Sequence, residues 1–248
     1  MRQHDRRYKK IFSNPAFVER LVKSFVKERF VKKLDFSQIE RLDKEFVLDD
    51  FSERESDIIY KIKFMDRDLY IFLLLEFQST VDRNMPLRFL NYISSFYLSF
   101  KKEKDKYPAV FPLLLYSGDK KWNVPFQIAE LIDSSIPEVY IPHFKYYPVL
   151  INSYAKEQLR KIHNVISAIF YIENSTSEEL KIELDILIDI IKKENFELLT
   201  EFANWFNNYL SQFESDKEKH LIIDKIENIT EVKTMFATKL MEHDKKIK

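Results

Sequence analysis

Residues 56–78 are the stretch that most limits what this chain can fold into. They read Ser-Asp-Ile-Ile-Tyr-Lys-Ile-Lys-Phe, then Met-Asp-Arg-Asp, then Leu-Tyr-Ile-Phe-Leu-Leu-Leu-Glu-Phe-Gln. Two runs rich in Ile, Tyr, Phe and Leu flank a short charged break, which is the pattern of a β-hairpin. With Asp66 and Arg67 at the tip, or 65–68 as a four-residue loop, antiparallel pairing sets Phe64 against Leu69, Ile62 against Ile71, Tyr60 against Leu73 and Ile58 against Leu75. The other face then pairs Lys63 with Tyr70, Lys61 with Phe72, Ile59 with Leu74 and Asp57 with Glu76. Directly opposed residues have Cβ atoms about 5 Å apart, where like charges repel. Gln78 falls on the face of Glu76 by the period of two. Two acids held this way share a proton or a cation. The plainer alternative is two solvated acids at a frayed hairpin end, since a slip of one residue separates them.

The rest of the chain narrows the chemistry by exclusion. Cysteine is absent from the 248 residues, which removes disulfides, thiolate zinc sites and cysteine nucleophiles. A single glycine, Gly118, leaves no recognisable phosphate loop or dinucleotide fingerprint, because both need several glycines. A hydrophobic content of 45% fits a globular protein. No apolar run approaches the roughly 20 residues of a bilayer span, and the charged Met-Arg-Gln-His-Asp-Arg-Arg start is unlike a signal peptide. A cytoplasmic protein without a membrane partner is the expectation.

Formal net charge is zero, yet it is unevenly spread. Residues 1–33 carry eleven Lys or Arg against Asp5, Glu19 and Glu28, a net of +8. Residues 173–202 carry nine acids against Lys181, Lys192 and Lys193, a net of −6. A basic front suits a polyanion, although solvated helix faces would look the same.

Helical spacing of Phe17, Leu21, Val22, Phe25, Val26 and Phe30, with Ser13 or Asn14 to cap and Pro15 in the first turn, predicts a basic amphipathic helix over 14–33. Ahead of it, His4 is a ligand or base by type and merely exposed by position. A short strand is expected around Glu45–Leu48, ending in turn residues Asp49 and Asp50. The hairpin follows, then a helix from Met85 to about Lys104 with Pro86 in its first turn. Strands are expected at Tyr107–Tyr116 and Tyr146–Ile151. After Asn152 helical periodicity takes over, with stripes at Leu180–Ile191, Leu198–Tyr209 and Leu221–Leu240. His143, His163, His220 and His243 have no metal-ligand spacing to one another. The expected fold is α/β, an α+β mixed sheet flanked by helices, as a domain over 1–152 and a helical region over 153–248.

Five colinear stretches carry a resemblance. They are His4-Asp5 with Tyr8-Lys9 and Phe12; Ser56-Asp57-Ile58-Ile59-Tyr60; Leu75-Glu76-Phe77-Gln78-Ser79; Met85 with Arg88 and Tyr92; and Leu115-Tyr116-Ser117-Gly118-Asp119 with Trp122. Together they resemble the Rpn family, the recombination-promoting nucleases also known as PD-(D/E)XK family putative transposases. The resemblance covers about residues 4–125. It implies a restriction-endonuclease-like core and a Mg²⁺-dependent DNA endonuclease of low sequence specificity, linked to recombination or mobile elements.

It also implies roles. Asp57 and Glu76 would hold Mg²⁺, with Mn²⁺ as a substitute, and Gln78 would stand where related nucleases carry lysine. Glutamine holds no charge and does not titrate, so it orients by hydrogen bonding alone, which leaves the general base open. Asp5, Lys9 and Lys61 are accessory candidates, and Arg88 is a candidate for phosphate contact with DNA, read as double-stranded. For Lys23, Lys27, Lys32 and Lys33 ordinary surface charge is the better reading. Two other functions compete. The chain could be a catalytically silent DNA-binding module that keeps the nuclease fold, or its C-terminal helices could make it a homo-oligomer, with stripes 180–191 and 221–240 as the interface.

Overall fold

A computed structural model describes residues 3–42, 58–76, 81–100 and 106–210. Its element order explains where the chain turns back on itself. Two helices, α1 (Gln3–Ile11) and α2 (Pro15–Phe25), precede strands β1 (Leu34–Leu42), β2 (Ile58–Phe64) and β3 (Arg67–Glu76). Helix α3 (Met85–Ser99) then leads to β4 (Ala109–Tyr116), and β5 (Tyr147–Leu150) closes the sheet. The strands lie in the order β1-β2-β3-β4-β5. β1, β2 and β3 pair antiparallel, whereas β3-β4 and β4-β5 pair parallel. A parallel pair needs a long crossover, and α3 is the one between β3 and β4. The result is the mixed sheet flanked by helices that the element order called for.

Strand β3 is central and covered on both sides, which is why Leu69–Leu75 reads as an unbroken apolar run. One face holds Tyr70, Phe72 and Leu74 with Ile59 and Leu114, packed against Met85, Phe89 and Phe96 of α3 and against Trp122 and Tyr146. The opposite face carries Tyr60, Ile62, Ile71, Leu73, Leu113 and Leu115, all buried. Helix α1 lies against β3, with Tyr8 and Phe12 fully buried, and the Tyr60 hydroxyl donates to the Phe12 carbonyl.

Three expectations need correction. The hairpin is tighter than expected: Phe64 faces Arg67, Tyr60 faces Ile71 and Ile58 faces Leu73. Its turn is Met65-Asp66, with Met65 at φ 57°. Such a turn normally takes Gly, Asn or Asp at its left-handed position, so the charged break pointed one residue too far along. Because the offset is two residues, every side chain keeps its face. The direct opposition of Asp57 and Glu76 no longer follows from this register, and Asp57 itself lies outside the described residues.

The basic helix is also shorter than 14–33. Asn14 caps it through a bond from the Ala16 amide at 2.9 Å, and Pro15 occupies the first turn as expected. It stops at Phe25 because Tyr147 of β5 meets its end. The Tyr147 hydroxyl donates to the Phe25 carbonyl at 3.2 Å and accepts the Lys27 amide at 2.9 Å. Residues Arg29–Lys33 continue as a 3₁₀ turn.

The first strand begins at Leu34, ahead of the stretch 39–51 in which a strand was expected. Its disguise is a bulge between Asp35 and Glu40, where the Asp35 carboxylate accepts from the Ser37 amide, the Ser37 hydroxyl and the Gln38 amide group. That local turn competes with the ladder. It also holds the Asp35 carboxyl below its usual range, the Ser37 hydroxyl bond contributing most. The strand expected at Glu45–Leu48 lies outside the described residues.

The chain divides into two compact units, Met1–Ser153 and Tyr154–Lys248. The second holds α4 (Lys156–Arg160), α5 (Val165–Glu173), α6 (Ser177–Ile182), α7 (Leu184–Ile191) and α8 (Phe196–Leu210). Helix α5 is buried along its length from Val165 to Ile172. Glu194 reaches back to accept the Val165 amide at its N-terminus. Leu180, Leu187, Ile190 and Ile191 are buried within this chain, so these positions of the 180–191 stripe serve internal packing. The 221–240 stripe lies outside the described residues. No described helix is long and apolar enough to cross a membrane.

Candidate functional site at the carboxyl end of the sheet

Glu76 is the last residue of β3, beside Tyr116 of β4, which in turn lies beside Leu150 of β5. Three parallel strands therefore end together at this point. Open α/β sheets bind ligands at the carboxyl ends of their strands. The other buried positions of β3 on this face are Tyr70, Phe72 and Leu74, and Glu76 is buried with them. A buried carboxylate demands a partner. It has one in Arg88, whose Nη1 lies 3.0 Å from Glu76 Oε2.

Arg88 is presented by the first turns of α3, and the same Nη1 lies 3.2 Å from Asp82 Oδ2. Asp82 is fixed in its own right, because its Oδ1 accepts the Asn84 amide at 2.9 Å and its carbonyl accepts the Met85 amide at 3.2 Å. The guanidinium stands over the Tyr92 ring, 5.9 Å from its centroid. The side chains of Glu76, Arg88 and Asp82 are only 5%, 12% and 18% exposed. One cation thus bridges two acids in a nearly dry setting.

The loop after β4 builds the wall next to this site. The Ser117 amide donates to the Glu76 carbonyl at 3.0 Å. The Tyr116 side chain folds back beneath Gly118, and its hydroxyl donates to the Lys120 carbonyl at 2.7 Å. A Cβ on residue 118 would stand 2.2 Å from that hydroxyl, so this one glycine is required by close approach. Burial raises the Tyr116 phenol above its usual range, with Asp119 and Glu76 adding to it. Trp122 packs edge-on against Tyr116 at 4.9 Å and donates its indole N–H to the Val124 carbonyl at 3.0 Å and to the Tyr146 hydroxyl at 3.1 Å. The Tyr-Ser-Gly-Asp…Trp stretch therefore supports the strand end that carries Glu76.

The other sequence candidates fall in several places. Asp57 and Gln78 lie outside the described residues. Lys61 is not brought to Glu76: it faces Tyr70, six residues back along β3, roughly 20 Å away at the strand rise. Its amine points to Asp68 at 3.8 Å, which Lys63 also binds at 2.6 Å. The tighter turn explains the difference, since it moves Lys61 one pair nearer the tip. Asp5 and His4 lie in the first turn of α1, and Lys9 is partly exposed on the same helix. Arg88, expected to face a phosphate, is engaged by Glu76 and Asp82. On α2 the basic charge is partly neutralised, with Glu19 binding Lys23 at 2.5 Å and Arg20 at 3.3 Å.

Asp82 is the residue that sequence reasoning passed over. It lies in the polar stretch 79–84, three positions before Met85, where an acid opening a helix is an ordinary capping signal. Its second role, on Arg88, leaves no mark in the spacing. Among the described residues no three His, Asp or Glu side chains gather in metal-ligand fashion.

Comparison with known proteins adds a lineage. The family described as "Putative transposase, YhgA-like" matches residues 2–207. Two curated relatives come from Escherichia coli K12. "Inactive recombination-promoting nuclease-like protein RpnE" is 34% identical over 65 residues, 26% of this chain and 22% of that protein. "Recombination-promoting nuclease RpnC" is 27% identical over 75 residues, 30% of this chain and 25% of that protein. The match thus spans about a quarter of each relative or less. No solved structure matches.

Proposed function

The chain belongs to the YhgA-like putative transposase family, and from that premise we propose that it is a divalent-metal-dependent endonuclease acting on double-stranded DNA with little sequence preference. The observation that carries this reading is Glu76, a buried acid closing the central strand where three parallel strands end. The likeness to RpnC, a recombination-promoting nuclease by name, supports a role in recombination. In this reading the first unit is a PD-(D/E)XK core, with Asp57 and Glu76 as its acids.

The donor set fits Mg²⁺. Glu76 offers hard carboxylate oxygen in a water-poor position, and Asp82 turns a second carboxylate to the same Arg88 nitrogen. Mg²⁺ binds through one or two carboxylates at about 2.0–2.1 Å and retains several waters, so a large protein cage is unnecessary. When bound, the ion supplies an acidified water and neutralises charge on the scissile phosphate. Glu76 and Asp57 hold the cation, and Gln78 orients water or phosphate by hydrogen bonds alone. Asp5 and Lys9 are accessory groups on α1. Lys61 has no part, being held at Asp68. Exposed Lys10 provides a phosphate contact that positions DNA without reading its bases.

One observation favours a second reading. RpnE, 34% identical over its matched segment, is named inactive. A member of this family can therefore keep the sequence pattern without turnover, as a silent DNA-binding module.

Nicking of supercoiled plasmid in Mg²⁺ or Mn²⁺ separates the two. Wild-type protein is expected to nick, and Asp57→Ala, Glu76→Ala and the isosteric Glu76→Gln are expected to abolish nicking while circular dichroism remains native. Unchanged cleavage in all three variants overturns the active-site assignment. Wild-type protein that retains DNA but fails to cleave it with any divalent metal belongs to the second reading.

A further inference from the structure

We propose that Arg88 is a built-in counter-cation, seated between Glu76 and Asp82, that sets the affinity of this site for a divalent ion. This rests on the reading of Glu76 as a metal-holding carboxylate. Surface ion pairs carry little weight, but this one is not at the surface. A single guanidinium nitrogen is bound by two carboxylate oxygens, at 3.0 Å and 3.2 Å, and all three side chains are largely excluded from water.

The guanidinium is also held in place before any ligand arrives. Tyr92, one turn along α3, lies under it, and Asp82 is locked by the Asn84 amide. A cation approaching Glu76 must share or displace a charge already sitting on Oε2.

Coulomb repulsion gives the direction of the effect. The guanidinium charge lies within hydrogen-bond distance of both the Glu76 and Asp82 carboxylates, so it opposes any cation approaching Glu76. Without Arg88 that opposition is gone and the repulsion between the two carboxylates favours an ion beside them. Arg88 thus keeps Glu76 seated and weakens metal binding in exchange. It is a positioning residue, acting on the metal through Glu76. Asp82 serves the same arrangement by binding the same guanidinium nitrogen, so that Arg88 keeps a partner when the ion takes Glu76.

The test is Mn²⁺ titration calorimetry on the full-length chain, together with melting temperatures with and without Mn²⁺. Arg88→Gln keeps hydrogen-bond donors and loses the charge, and Arg88→Met removes both. Both are expected to bind Mn²⁺ about tenfold or more tightly than wild type, since a full charge has left the immediate shell of the site. Both should melt lower without metal and gain more on adding Mn²⁺, with Arg88→Lys close to wild type. If Arg88→Met does not fold, Arg88→Gln carries the test. Unchanged or weaker binding in folded Arg88→Gln, with Glu76→Gln abolishing wild-type binding, overturns the proposal and leaves the metal site standing. Wild-type binding that survives Glu76→Gln removes the metal site itself, and the proposal with it.

Discussion

Arg88 and Gly118 show how differently single residues can matter around the same strand end. Arg88 neutralises a buried carboxylate, and removing one partner of such a pair costs about 3–5 kcal/mol because the other charge stays behind. Chemical denaturation of metal-free Arg88→Met is expected to show a loss of that order. A loss within about 0.5 kcal/mol, the range of ordinary surface changes, would mean that Glu76 is not buried against it. Gly118 carries no chemistry but leaves room for the Tyr116 ring, so Gly118→Ala must displace an aromatic side chain that is buried and hydrogen-bonded. Overpacking of this kind costs about 1–3 kcal/mol. The same change should slow any Glu76-dependent reaction, because Ser117 and Tyr116 frame the end of β3. Both residues stood out in the sequence as parts of short motifs. What the spacing could not reveal was that Arg88 faces inward: an arginine four residues before a tyrosine on a helix looks the same whether it meets a phosphate or a carboxylate.

At the scale of elements, apolar patterning located most of the sheet. The run Leu69–Leu75, the proline-marked start of α3 and the strands near 109–116 and 147–150 were all visible as hydrophobic blocks bounded by breakers. The failures have identifiable causes. Strand β1 is interrupted by the Asp35 turn, so its alternation is broken where a period of two would be sought. Helix α2 ends against Tyr147, a residue 120 positions beyond Lys27, and no local rule can see that. The hairpin register slipped because its turn places methionine in the left-handed region. That conformation costs an L-residue roughly 1–2 kcal/mol. Met65→Gly or Met65→Asn is therefore expected to stabilise the protein by up to about 1 kcal/mol, read as a higher denaturation midpoint at an unchanged slope. Equal or lower stability in both variants would contradict the tight-turn register.

For the whole molecule, the sequence contains a sheet unit and a helical unit, each with its own buried core. The helical unit supplies a prediction about pH. The phenol of Tyr171 is buried on α5, and burial, followed by its bond to Glu183 at 2.8 Å, raises it to about 12. In the unfolded chain it titrates near the ordinary phenol value of 10.0. Its contribution to stability is thus complete below pH 10 and is lost as pH climbs towards 12. Tyr60 and Tyr146 of the sheet unit are shifted the same way, chiefly by burial. Stability should fall steeply across pH 10–12, and Tyr171→Phe should make that fall shallower; an identical alkaline profile would contradict the buried phenol.

Family membership, the mixed sheet and the position of Glu76 all bear on one claim, that the end of β3 holds a divalent cation. Anomalous diffraction from a crystal soaked in Mn²⁺ tests that claim most directly. The account predicts a peak at coordination distance from the Glu76 carboxylate, with Asp57 as its second acid and Arg88 drawn towards Asp82. A fully occupied Mn²⁺ elsewhere, with Arg88 still on Glu76, would contradict it.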